Sequence, residues 1–139
     1  VFVPRPPRTP ISGATRWLRP ERALIQLSLR YKKNDHLWFT FFHEAGHILL
    51  HGKRLVFLEG KDGNGPMEKE ADKFAADLLI PSQYLEQLRI LNRSERAVRE
   101  FANKIGIHPG IVVGRMQHER ILPQSHLNGL KERFEIVVG

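Results

Sequence analysis

The period of apolar and polar positions changes several times along the chain, and each change marks an element. "GATRWL" and "ALIQLSLRY" carry the two-residue period of half-buried strands, the second with Ala23, Ile25, Leu27 and Leu29 on one face and Leu24, Gln26, Ser28 and Arg30 on the other. Only "RPER" separates them, which predicts a hairpin. Asn34 or Asp35 can then cap a helix through "FTFFHEAGHILLHG", expected to stop at Gly52 because glycine is favoured just past a helix C-terminus. Leu37, Trp38, Phe39, Phe41, Phe42, Ile48, Leu49 and Leu50 surround the axis of this helix, the pattern of one covered on most sides.

Further on, "LVFLE" predicts a short strand and "GKDGNGP" a loop. In "MEKEADKFAADLLIP" the apolar stripe Ala71, Phe74, Ala75, Leu78 and Leu79 predicts a second helix, with Pro66 near its first position and Pro81 marking its end. Three more helices are expected: "SQYLEQLRIL" and "SERAVREFANKI", each opened by a serine placed as an N-cap, and "HPGIVVGRMQHER", with Pro109 in its first turn. The tail, "SHLNGLKERFEIVVG", carries no firm pattern. The class is α+β, without internal repeats.

Composition narrows the chemistry. The 139 residues fit one domain, or a compact domain with a helical appendage. There is no cysteine, so disulfides and thiolate metal sites are excluded and any metal must be held by His, Asp or Glu. No apolar run is long enough to span a membrane and no signal-like series opens the chain, so a soluble cytoplasmic protein is expected. The formal charge of +7 favours acidic partners in general without defining a site. "VFVPRPPRTP" has no initiator methionine and reads as an extended linker, residues 1–12, in what is expected to be a fragment of a longer chain.

Against this background the polar groups of the central helix stand out. His43, Glu44 and His47 sit among apolar neighbours, where unpaired polar groups cost several kcal/mol. A metal ion compensates for them. Histidines four apart lie one turn apart on one helix face, so both can ligate one cation while Glu44 reaches a water bound to it. A string of this kind also occurs by chance without a metal, but here it is centred on a long helix that follows a strand pair. The third ligand is not His51: residues 43 and 51 on an uninterrupted helix lie about 12 Å apart. On the second helix, extending the apolar face back by one turn reaches Glu68, with Asp72 one turn later. Glu68 is therefore assigned as the third ligand and Asp72 as the acceptor for the second N–H of one liganding histidine. Glu70 points about 200° from Glu68 and is expected to face solvent. The bland alternative is that these acids only complement the helix N-terminus.

With this order and separation, "FFHEAGHILLHGK" and "EKEADKFAADLLIP" resemble the ImmA/IrrE family of zinc metallopeptidase-like proteins of bacteria and their mobile elements. The second motif is similar to the E-x-E-A-D signature of gluzincin-type peptidases, whose first glutamate is the metal ligand. "GIHPGIVVGRMQHERILPQSHLNGL" resembles the C-terminal part of antitoxin-like regulators that join an Xre-type helix-turn-helix domain to a peptidase-like domain. The resemblance implies a small zincin-like core over residues 13–81, with a short antiparallel sheet, an H-E-x-x-H active-site helix and a second ligand helix. A helical, helix-turn-helix-like segment over residues 82–139 is expected to pack on it. It further implies one Zn2+ ion, an N-terminal helix-turn-helix domain in the full-length chain, and regulatory cleavage of a transcriptional repressor in a stress, mobile-element or toxin–antitoxin context.

The chemistry expected is metal-assisted hydrolysis with Glu44 as general base, and a substrate strand added alongside Val56, Phe57 and Leu58. No residue is marked as oxyanion stabiliser among His108, His118, His126, Tyr31 and Tyr84. Two rival readings remain. One is a metal-binding regulator without catalysis. The other is a DNA-binding helix-turn-helix in "AVREFANKIGIHPGIVVGRMQ", which is not expected because Pro109, Gly110 and Ile111 offer bases few hydrogen bonds.

Overall fold

The computed structural model describes residues 13–27, 33–52 and 65–133, the side chains of 13 and 14 excepted. Strands β1 (Gly13–Arg19) and β2 (Arg22–Leu27) pair antiparallel around the turn at Pro20 and Glu21, with the register Thr15↔Ile25 and Trp17↔Ala23 and an irregularity between Trp17 and Arg19. The pleat puts Thr15, Trp17, Ala23 and Ile25 on one face, and these half-buried side chains turn toward helix α1 (Asn34–Gly46). The indole Nε1 of Trp17 donates to the carbonyl of Gly52 at 3.2 Å, pinning the hairpin to the far end of the long helix.

The start of α1 departs from expectation. Lys33 holds the N-cap position without a side-chain cap, and Asn34 is already helical. Asn34 is instead committed to the C-terminal end of the described chain. Its N–H donates to Glu132 O at 2.7 Å, its Oδ1 accepts from the N–H of Asp35 and Glu132, and its amide meets His108 Nδ1 at 2.6 Å. The burial of this helix also differs in part from the expected pattern: Phe39, Phe41, Phe42 and Ile48 are only half-buried. The inward face carries Asn34, Leu37, Thr40, Glu44, His47 and His51, whereas Trp38, Leu49 and Leu50 are exposed. Polar groups face inward because the neighbouring elements answer them with polar groups of their own.

Helix α2 (Pro66–Leu79) starts with proline at its first position, where a missing N–H costs nothing, and ends before Pro81. Ala71 and Ala75 of its stripe are fully buried, while Leu78 is exposed. They meet α1 at Gly46, where a Cβ would come within 2.9 Å of Phe74 Cδ1 and 3.4 Å of Ala71 Cα. Two helices approach this closely only when small residues line the contact, and that proximity is what carries the first turn of α2 up to the histidines.

A 3-10 turn (Ser82–Tyr84) leads into α3 (Leu85–Ile90), and Ser82 makes no cap hydrogen bond. Helix α4 (Glu95–Ile105) is capped as expected by Ser94, whose hydroxyl accepts from Ala97 N–H. Helix α5 (Pro109–His118) follows. Leu88, Val98, Phe101, Val112, Val113 and Met116 form the hydrophobic core, each contributing on the order of 1.5–3 kcal/mol by burial. The apolar core therefore lies in the C-terminal helices. Polar buried groups concentrate between α1, α2 and the hairpin. Gly110 and Gly114 of α5 seat Asn34 and Asp35 of α1, where any Cβ would fall within 2.6 Å of their side-chain oxygens.

Candidate metal centre

The first helix ends in a π turn, His47–His51, whose wider winding lets Gly52 N–H donate to His47 O five residues back. Gly52 then leaves the helix with φ +55, a conformation that favours glycine. Across the Gly46 contact, the Glu68 carboxylate lies between the two histidines, with Oε2 3.1 Å from His43 Nε2 and Oε1 3.0 Å from His47 Nε2. The two Nε2 atoms are themselves 3.1 Å apart. His43, His47 and Glu68 thus converge their donor atoms on one point, as the spacing of the motifs predicts.

Each imidazole is held from behind. Asp72 Oδ1 lies 2.8 Å from His43 Nδ1, so the carboxylate accepts the Nδ1–H. Nδ1 of His47 meets Nδ1 of His51 at 3.0 Å, and His51 Nε2 meets Glu70 Oε2 at 2.9 Å. His47 and His51 are buried. Burial pushes the His47 pKa below the ordinary histidine value; Glu68 and Glu44 pull it upward, while His43 and His51 push it further down.

Glu44 is 8% exposed, and its carboxylate Oε2 accepts a 2.5 Å hydrogen bond from Thr15 Oγ1 on β1. The hairpin therefore has a direct part in this site, beyond covering α1.

A model of the Peptidase_M78 family, the IrrE N-terminal-like domain, matches residues 9–117. The chain belongs to this family. Neither a curated protein nor a solved structure matches it. Membership makes this a metallopeptidase-like domain and implies a metal ion, which the donor set can be tested against.

The donor set of this IrrE-like domain fits such an ion. With the His43 Nδ1 proton committed outward to Asp72, its Nε2 is free to ligate, and His47 Nε2 and the Glu68 carboxylate face it at 3.1 Å each. A cation at their centre would satisfy all three at once. Donors held at about 2.0–2.1 Å from a tetrahedral zinc ion sit roughly 3.3 Å apart, close to the separations observed here.

Two residues of the IrrE-like site differ from sequence expectation. Glu70 does reach solvent, with its side chain 61% exposed, but its carboxylate also engages His51. Thr15 carried no sequence signal at all, because a threonine at alternating spacing reads only as strand. Val56, Phe57 and Leu58, expected to bind substrate, lie outside the described residues, as does the "LVFLE" strand. Among the candidate oxyanion stabilisers, His108 instead caps α5 by accepting from Gly110 N–H.

Proposed function

We propose that this domain is a zinc-dependent metalloendopeptidase that cleaves a regulatory protein, a transcriptional repressor of a bacterial stress, mobile-element or toxin–antitoxin system, in the cytoplasm. The observation that carries the reading is the convergence of three lone-pair donors beside an acid, Glu44, held in one orientation from the hairpin. His43, His47 and Glu68 would hold one zinc ion. When bound, that ion supplies Lewis-acid polarisation of the scissile carbonyl and acidifies the attacking water. Glu44 acts as the general base, taking a proton from that water and delivering one to the leaving amine. Thr15 holds the Glu44 carboxylate so that it does not search rotamers at the moment of transfer. Asp72 orients His43 through its Nδ1–H.

The packing of α5 disfavours direct DNA reading. A recognition helix must present one face to a groove, and here Ile111, Val112, Val113 and Met116 are buried while Gly110 and Gly114 press on α1. No helix of the described residues is long and apolar enough to cross a membrane.

The deciding experiment compares Glu44→Gln with His43→Ala in metal analysis and in co-expression with a candidate repressor substrate. Zinc retained by Glu44→Gln and lost by His43→Ala, with cleavage abolished in both, supports the peptidase. Full regulatory function in Glu44→Gln means a metal-binding regulator without catalysis.

A further inference from the structure

Resting on the metal-site reading, we propose that Glu70 and His51 form a relay that sets the tautomer of His47 and so makes it a zinc ligand. A neutral imidazole carries one proton, on Nδ1 or on Nε2, and only the Nδ1–H form offers Nε2 to a metal. Without zinc, the Glu68 carboxylate 3.0 Å from His47 Nε2 rewards the opposite form, with the proton on Nε2. Something behind the ring must outweigh it.

The group behind the ring is His51, and its own tautomer decides the outcome. Nδ1 of His51 faces Nδ1 of His47 at 3.0 Å, so one of the two must be the donor and the other the acceptor. Were His51 protonated on Nδ1, it would donate to His47 and drive that proton to Nε2, blocking the metal position. Glu70 Oε2, 2.9 Å from His51 Nε2, can only accept, which places the His51 proton on Nε2 and leaves Nδ1 as acceptor. The consequence passes inward: Glu70 accepts from His51, His51 accepts from His47, and His47 turns a lone pair toward Glu68 and His43.

The arrangement also explains why three acids alternate in "EKEAD". Glu68 faces the donor cluster, Asp72 holds His43 directly, and Glu70 holds His47 at one remove, through the histidine that the π turn delivers to it. Glu70 and His51 are positioning residues in this scheme. Neither touches the metal position.

The test uses the whole chain, with zinc affinity measured by competition against a chromogenic chelator and histidine tautomers read by long-range nitrogen–proton NMR on metal-free protein. Glu70→Ala, at an exposed position, is expected to keep wild-type helicity, to weaken zinc about 10- to 100-fold, and to move the His47 proton to Nε2. His51→Asn puts a carbonyl oxygen near the place of Nδ1, so it should hold affinity within a few-fold of wild type and make Glu70 dispensable. In that background, adding Glu70→Ala should cost nothing more, a non-additivity that a merely structural Glu70 would not produce. Wild-type affinity in Glu70→Ala together with an unchanged His47 tautomer overturns the relay and leaves the metal site standing. A wild-type chain that binds no zinc overturns both.

Discussion

Thr15 Oγ1 on the hairpin donates a 2.5 Å hydrogen bond to Glu44 Oε2 on the central helix, 29 residues away in sequence. The acid at the centre of the H-E-x-x-H string is thereby oriented by a residue outside both motifs. Thr15→Val removes the donor while keeping the side chain's shape. Zinc affinity should be unchanged and cleavage should slow roughly tenfold to a hundredfold, the size of a hydrogen bond to a charged group. Thr15→Ser should restore most of the rate. Wild-type turnover in Thr15→Val would remove Thr15 from the mechanism.

Gly46 sets how closely α1 and α2 approach. A Cβ there meets the Phe74 ring at 2.9 Å, so Gly46→Ala should cost about 1–3 kcal/mol and lower the melting temperature by several degrees. Zinc affinity should fall with it, because the same displacement carries Glu68 away from the histidines. Shortening the obstruction with Phe74→Leu should recover part of both losses, measurable as a double-mutant cycle.

The metal-free protein should be acid-sensitive through His47. Burial holds its folded pKa below the unfolded histidine value of 6.5, so below that pH the unfolded chain binds more protons than the folded one. The contribution of His47 to stability is thus present above pH 6.5 and is lost as pH falls from there toward the folded pKa. Chelator-treated protein should show falling denaturant midpoints below pH 6.5, and His47→Gln should flatten that slope. An unchanged slope would mean that His47 is not the group responsible.

Lys131 and Asp35 form a nearly buried pair, 2.9 Å apart, with Asp35 Oδ1 lacking any partner among the described residues. Lys131→Met leaves an uncompensated buried carboxylate and should destabilise by about 3–5 kcal/mol, whereas Lys131→Met with Asp35→Leu should regain much of that loss. Urea denaturation of the two variants checks it. Equal stability of the single and double variants would mean that Asp35 is hydrated when its partner is removed.

Much of this site was legible in the chain itself. His43 and His47 are related by the turn of one helix, and Glu68 follows from the apolar stripe of another, so local periodicity was enough to align them. The reading of α1 as covered on most sides holds for Leu37, Phe39, Phe41, Phe42 and Ile48 but not for Trp38, Leu49 and Leu50, and the most deeply buried face is largely polar. Hydrophobicity counts which side chains could be buried, but packing chose to bury the face that α2 and the hairpin can answer with Glu68, Glu70, Asp72 and Thr15.

His51 shows the same boundary. An ideal helix correctly keeps it out of the donor cluster, but it cannot anticipate a π turn, which is set by where the chain must leave for Gly52 and by the indole of Trp17 waiting there. Short-range spacing thus brought out His43, His47 and Glu68 and the helical segments that hold them, a grouping the fold reproduces. Tertiary structure alone decided what stands behind each of those side chains. Thr15 meets Glu44 and Glu70 meets His51 only through the angle and distance at which separate elements pack, and no local periodicity encodes either.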